Sequence, residues 1–502
     1  MNPKPPKSGR PGRRRLVGLA AVGVTVLGFA GAGLAGAGPA LADPGVSYLG
    51  VGSNTTQDVM NAYAALLGDG TVGSYDAVTP LSGSTYNDPV NPLNVEIAPA
   101  KVAFGVANPT GAQANCDFTR PNGSGAGIAA LEKGINPNFT NSSLPPAPAG
   151  HSTTQPGPGC IDFARSSNAP STNADGDLLF IPFGGDVLAD ATGPAAGGTT
   201  TIDGTSVTFL PTAITQANQF SFADMTTFYT CKTTDTNGGS YTTVTVPDGD
   251  TIGQTGSTTY YVRTSTNSTP PTDDSAAIPV DLYVPQSGSG TRNFWLNAVT
   301  LGADSNGALP ACANNNIVNA SAGNTSFNNE QVEENDGTVY TVDPNALGPF
   351  SIAQQIAQSS GHGTNRLFAV ATHTMGGQAP FTGTLGTNAK INPLYPVWRL
   401  VYNVVLAGRI LGTPGTGGTN GTTEFIDGNG NPDGKFDAGL SSLIAGGGSA
   451  LCSNSILIGK YGFATLPQTT AAGPTVNCGD TSPAELATPN LTAGAPAGWT
   501  GF

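Results

Sequence analysis

Val280-Asp-Leu-Tyr-Val284 runs directly into Pro285-Gln-Ser-Gly-Ser-Gly-Thr-Arg-Asn-Phe-Trp295. The first run is apolar and β-branched and reads as a strand. Phe294, Trp295, Leu296 and Val299 then recur at helical spacing, so the small residues between form a strand-to-helix turn. Gly288 and Gly290 let the backbone come close to a ligand. Ser289 and Thr291 add hydroxyls, and the first free N–H groups of the helix point to the same spot with the positive end of its dipole. A single turn of this kind is also what an ordinary serine N-cap looks like. Its repetition along the chain is what gives it weight.

Tyr48-Leu-Gly-Val-Gly-Ser-Asn-Thr-Thr56 is a second strand and turn, followed by Val59, Met60, Tyr63, Leu66 and Leu67 on one face of a helix that Gly68 stops. A third turn is Arg120-Pro-Asn-Gly-Ser-Gly-Ala-Gly-Ile128, where Ser124 precedes Ile128 and Leu131. Cys160-Ile-Asp-Phe-Ala-Arg-Ser-Ser167 places a short strand before another hydroxyl pair, and Leu178 to Phe183 is a buried strand ending near a crossover. The fold class is therefore α/β. In an open α/β sheet, ligands sit outside the carboxyl ends of strands, where such turns gather.

The remaining segments read as support. Ser221 is an N-cap for a helix carrying Phe222, Met225, Phe228 and Tyr229. The Thr/Gly-rich stretch of about 233–274 alternates like a β-hairpin insertion, and Pro137 to Gly159 reads as a surface insertion. Phe350 to Gln358 is apolar, and Val397 to Leu406 suits either helix or strand. Asp427 to Asp437 looks like a calcium loop but fails the register, because Pro432 stands where the turn glycine belongs. No metal or other cofactor is expected.

Six basic residues and no acid precede an apolar, small-residue stretch from Leu16, which ends in Ala40-Leu41-Ala42, so residues 1–42 read as an export signal. The arginine pair before Leu16 leaves both export routes open. With those six gone, the formal charge of −14 becomes about −20, which excludes a basic nucleic-acid-binding surface. No cysteine precedes Cys116 and the C-terminus has no apolar tail, so a secreted, monomeric protein without a stable membrane anchor is expected, free or wall-associated. Cys116, Cys160, Cys231, Cys312, Cys452 and Cys478 contain no C-x-x-C pair and suit three disulfides in an exported chain. Fifteen pairings are open. The sequential one is expected, since each bridge would close a separate loopy segment.

In order and spacing, GVGSNTTQDV at 50–59, NGSGAGI at 122–128, CIDFARSS at 160–167, FSFADMTTFYT at 220–230 and SGSGTRNFW at 287–295 resemble the phosphate-binding receptors of ABC importers. The resemblance spans about Tyr48 to Gln358. It implies a two-lobed type 2 periplasmic-binding-protein fold with β-rich and loop insertions, an ABC permease as partner, and a small phosphate-like anion as ligand. Lobe 1 would comprise 43–183 and 371–502, and lobe 2 would comprise 184–370. Carried over by position, the binding set is Ser53, Asn54 and Thr55 from the first turn, Ser124 and Gly125 from the second, and Ser289, Gly290 and Thr291 from the last. Ser166 and Ser167 complete it. Where the family has an Asp closing its DFGASD-like stretch, this chain has Ser167, and its ligand-binding Arg and second Asp are replaced by Pro285 and Ser287. Arg165 and Arg292 lie close by in sequence and are candidates for the missing cation.

A buried carboxylate accepts the proton of monohydrogen phosphate and repels sulfate, so its loss widens the expected ligand class to oxyanions in general. The expected function is a solute-binding protein without chemistry. Two alternatives stand beside it: a secreted interaction protein that retains the fold without a ligand, and a phosphoester hydrolase. Against the hydrolase, no G-x-S-x-G is present, and His151, His362 and His373 lie far in sequence from the serine turns.

Overall fold

The computed structural model describes residues 47–68, 71–74, 121–133, 161–168, 178–193, 198–202, 205–209, 214, 220–231, 243–247, 257–264, 276–300, 308–320, 325–363, 370–411, 424–426, 432–467 and 476–481. The export signal, Cys116, Cys160, the 137–159 insertion and the 427–431 loop lie outside them.

Among the described residues, one mixed sheet of twelve strands organises the fold. In chain order these are β1 (Tyr48–Gly52), β2 (Val72–Ser74), β3 (Phe163–Ser166), β4 (Leu178–Thr192), β5 (Thr243–Pro247), β6 (Ser257–Val262), β7 (Ile278–Tyr283), β8 (Ala313–Asn314), β9 (Ala346–Ser351), β10 (Ala371–Thr372), β11 (Trp398–Leu406) and β12 (Ala464–Thr465). The path is β2-β1-β3-β11-β4-β9-β7-β6-β5, with β8 beside β7 and β10 and β12 beside β4. Two parallel blocks result. β2, β1 and β3 form one, and β9, β7, β6 and β8 the other. The antiparallel pair β11 and β4 joins them.

Strand β4 is 15 residues long and buried throughout. Its first part pairs with β11 and its last residues with β9 and β10, so both blocks share one strand. Opposite Val401 and Tyr402 the register jumps from Gly184 to Pro182, leaving Phe183 as an extra residue. A bulge suits a proline there, since Pro182 cannot donate to a ladder, and it adds local bend and twist. The lobe boundary expected between Phe183 and Gly184 thus falls inside a continuous strand. Of the run Val397 to Leu406, Trp398–Leu406 is strand: buried on both faces, it needs no alternation, which is why its sequence suited helix equally well.

Helices follow the strands: α1 (Gln57–Leu67), α2 (Ser124–Lys133), α3 (Phe222–Tyr229), α4 (Gly290–Val299), α5 (Thr338–Val342), α6 (Ile352–Ser359), α7 (Ala407–Leu411), α8 (Ala438–Ile444) and α9 (Ser455–Lys460). Ser221 caps α3 in a reciprocal capping box with Asp224. Val59, Met60 and Tyr63 are buried, but Leu66, expected on the same face, is 56% exposed at the end of α1. Helix α4 is buried on nearly all sides, with Trp295 edge-on to Tyr229 at 5.8 Å between ring centres. The hairpin expected within 233–274 is β5 and β6, but it is no separate appendage: β6 pairs parallel with β7 and extends the main sheet.

Cys231–Cys312 and Cys452–Cys478 are bridged, as the sequential pairing expects. A buried ion triad ties the first block to the C-terminal helices. Arg409 donates to Asp162 and Asp437 at 2.7 Å each, while Asp162 also accepts from the Leu49 amide and Asp437 from the Tyr48 hydroxyl. Among the described residues no helix is long and apolar enough to cross a membrane.

Two predictions follow from this core. Arg409→Met should cost about 3–5 kcal/mol in urea unfolding, because two buried carboxylates lose their cation. The second concerns Asp190 and His373. Burial pushes the Asp190 carboxyl up to about 7 from 3.8, against a weak bond from the Tyr395 hydroxyl. Burial pushes the His373 ring down to about 4 from 6.5. Asp190 holds a proton in the fold that the unfolded chain has lost, so its contribution falls as pH rises through about 7; His373 refuses a proton the unfolded chain accepts, so its contribution falls as pH drops from 6.5 toward 4. The two slopes oppose each other. Asp190→Asn should therefore make stability rise more steeply with pH between about 4 and 6.5, and His373→Gln should make it fall between about 4 and 7, by up to about 1.4 kcal/mol per pH unit each.

Candidate functional site

The site lies where the carboxyl ends of β1, β3 and β7 meet. At the first, Gly52 has a positive φ of 115°, and a Cβ there would lie 2.7 Å from the Arg165 carbonyl. The turn that follows buries Ser53, Asn54, Thr55 and Thr56. A turn preceding β3 adds to these: Asn122 bridges to Gly52 and Ser124 opens α2. The last turn puts Ser289 at the N-cap of α4, its hydroxyl accepting from the Arg292 amide.

These turns touch. The Thr55 and Thr291 hydroxyls are 3.5 Å apart, those of Ser124 and Ser167 3.2 Å, and the Ser167 amide donates to the Ser124 hydroxyl at 3.0 Å. The Gly125 amide donates to the Gly288 carbonyl at 2.7 Å, so this N–H is engaged by the opposite turn. Glycine is required at this contact: a Cβ on Gly123 would sit 2.7 Å from the Gly288 carbonyl oxygen, and one on Gly290 would sit 2.4 Å from the Ser124 hydroxyl.

The expected residues divide accordingly. Thr55, Ser124, Ser167, Ser289, Gly290 and Thr291 come together. Ser166 does not join them, since its hydroxyl donates to the Asn168 carbonyl and closes its own short loop. The buried Arg165 guanidinium donates to the Ser53 and Gly52 carbonyls and to the Ser74 hydroxyl, bracing the first turn from behind. Arg292 is buried in the first turn of α4. His373 shares a hydrogen bond with Thr192, and the His362 ring lies 5.4 Å from the Tyr461 ring, tilted by 39°. His151 lies outside the described residues.

Three acidic residues and an arginine that the sequence reading left out complete the cluster. Arg399, on β11, lies directly across from Asp186 on β4. Its Nε and Nη2 both donate to Asp186 Oδ2, at 3.1 and 2.8 Å. The same guanidinium reaches the Thr291 hydroxyl at 2.5 Å, the Thr55 hydroxyl at 3.3 Å and the Ser167 carbonyl at 3.2 Å. It is thus the cation toward which three of the turns converge. Asp186 also accepts from the Ser351 hydroxyl and the Ala353 amide at the start of α6, where a carboxylate is favoured by the helix dipole.

Glu333 and Glu334 close the other side. Glu334 accepts from the Thr55 hydroxyl at 2.8 Å and the Ser289 hydroxyl at 3.1 Å. Glu333 accepts from the Asn54 and Asn122 side-chain amides at 3.0 and 2.8 Å. Gln286 donates to Asn122, and Gln354 to the Thr55 carbonyl, extending the network. Ser53 Oγ, Asn54 Oδ1 and Gln286 Oε1 remain buried with no partner in it. The missed signals were faint. An arginine inside the apolar run Val397 to Leu406 implies a buried partner, but Glu333-Glu334 in a polar stretch looks like any solvated charge pair.

The Arg399–Asp186 pair should be hard to replace. Arg399→Met leaves Asp186 buried without its cation and should cost about 3–5 kcal/mol in urea unfolding. Arg399→Lys keeps the charge but not the fork that spans Asp186, Thr291 and Thr55, and should recover only part of that loss.

No family model matches the chain, and no curated protein matches it. Among solved structures, one described as a possible phosphate binding protein from Planctomyces limnophilus is similar over 72% of this chain and 82% of that chain, at 11% identity and a TM-score of 0.27. At that TM-score the likeness decides neither fold nor ligand.

Proposed function

We propose that the protein is a solute-binding protein that takes phosphate or a related oxyanion between two lobes, 43–183 with 371–502 and 184–370, and performs no chemistry on it. The observation that supports this reading is the convergence of hydroxyls from separate turns on one buried guanidinium. Thr55, Thr291 and the Ser167 backbone all meet Arg399. Such a set suits an anion, because hydroxyls and a guanidinium donate while the N-termini of α1, α2 and α4 add positive potential. The overall acidity is no obstacle. Charges beyond about 8 Å are screened at physiological salt, whereas donors act at contact. Export and an ABC permease as partner belong to the same proposal, which the two disulfides suit.

A second reading, an interaction protein that retains the fold without a ligand, is favoured by one observation: the Thr55 and Ser289 hydroxyls already have acceptors within the chain. Calorimetry with inorganic phosphate, sulfate and molybdate separates the two. On the first reading at least one anion binds the wild type, and at one hundred times its dissociation constant it raises stability by about 2.7 kcal/mol. The Ser289→Ala/Thr291→Ala double variant should lose about 0.5–1.5 kcal/mol of binding per hydroxyl. Binding of no anion by the wild type gives the second reading, and equal binding by both proteins would reduce the last turn to a helix cap.

A further inference from the structure

The carboxylates in the turn cluster have the sign of charge that the site is proposed to bind. Glu334 is fully buried, and its two oxygens divide between the first and last turns, taking Thr55 on one and Ser289 on the other. Glu333 does the same one residue earlier, with Asn54 on one oxygen and Asn122 on the other. Each glutamate therefore links two turns, as a bound oxyanion would. Sequence separation of 279 residues between Thr55 and Glu334 rules out a local capping interaction.

The backbone carrying these residues is held independently of the carboxylates. The Val332 carbonyl accepts from the Gln286 amide, its amide donates to Asn315, the Glu334 carbonyl accepts from the Ser351 amide, and the Asn335 carbonyl accepts from Gln358. Removing a side-chain charge therefore leaves the segment anchored by its backbone. Around it, buried polar atoms of Ser53, Asn54 and Gln286 have no partner. The two glutamates thus take up the Thr55 and Ser289 hydroxyls and the Asn54 and Asn122 amides, while Arg399 is held by Asp186, and of the unpartnered atoms Ser53 Oγ is the one that can donate.

On the reading that this cluster is the oxyanion site, we propose that Glu334, supported by Glu333, is an internal anion that occupies the place of the ligand and holds the turns closed without it. An incoming oxyanion must displace the Glu334 carboxylate from Thr55 and Ser289. Like charges cannot share the same donors at contact distance, so the glutamate sets a threshold on anion binding. Weak anions are turned away, and an anion able to accept from Arg399 and both hydroxyls together is admitted.

Calorimetry with inorganic phosphate on wild type, Glu334→Ala and Glu334→Gln tests this, with thermal unfolding in formate as a second readout. The alanine variant should bind phosphate at least tenfold tighter than wild type. Formate, a carboxylate small enough for the vacated place, should raise its unfolding temperature more than it raises that of wild type. Glu334→Gln, which removes the charge and keeps the shape, should also bind phosphate more tightly, by a smaller factor, and carries the test if the alanine variant does not fold. Phosphate binding that is unchanged or weaker in both variants overturns the proposal, and weaker binding would place Glu334 among the groups that hold the ligand. Binding by the variants but not by wild type upholds the internal anion and removes the simple receptor reading. Binding by wild type with no gain in the variants does the reverse. Absence of any anion response in all three proteins removes both.

Discussion

The contact between Arg399 and Asp186 governs this structure. Both groups are withdrawn from water, and a buried pair is tolerable only when each partner's remaining hydrogen-bonding capacity is also met. Asp186 meets it with the start of α6, and Arg399 meets it with three of the turns. The pair lies on β4 and β11, the strands that join the two parallel blocks, so the same interaction fixes the junction of the sheet and supplies the cation of the cluster. Charge, strand register and turn placement are therefore one constraint.

Around that constraint the fold follows ordinary rules. Parallel blocks need helices to cover them, and here the helices begin in glycine and hydroxyl turns because a helix N-terminus near another backbone tolerates only small residues and asks for an acceptor. Those acceptors come from the chain itself. Asp186 serves α6, the Ser289 hydroxyl serves α4, and Glu334 serves the hydroxyls in front of α1 and α4. An oxyanion site and a set of well-capped helix ends are built from the same parts. What distinguishes them is whether an outside anion can take over from the glutamates.

Much of this was legible from local pattern. The turns announce themselves through glycine and hydroxyl residues between a β-branched run and a helical period, and Ser221 through the helical period of Phe222, Met225, Phe228 and Tyr229 behind it. Contacts that depend on distant segments were not legible. Arg165 and Arg292 were nearest in sequence to the turns, and Arg165 braces the first from behind, yet it is Arg399 that reaches the Thr55 and Thr291 hydroxyls, since antiparallel pairing with β4 carries it there from more than a hundred residues beyond Thr291. Glu333 and Glu334 were passed over because charge in a polar stretch normally faces water, and only the fold brings it to buried donors. The bulge at Phe183 explains another difference: an apolar run followed by two glycines resembles a strand's end, and here the strand bends and continues.

The glycines at the turn contacts carry a consequence for how such a molecule can change over time. Gly52 and Gly127 meet so closely that a Cβ on Gly127 would lie 2.6 Å from the Gly52 Cα, and Gly123 stands in the same relation to Gly288. Gly127 and Gly123 cannot acquire a side chain while the opposite backbone stays in place, and Gly52 and Gly288 are held to glycine by their positive φ of 115° and 87°. A lineage can therefore explore new hydroxyls, new charges and a new ligand around these turns with some freedom, while the backbone crossing beneath them is locked against single steps. Chemistry at this junction is free to drift faster than its geometry.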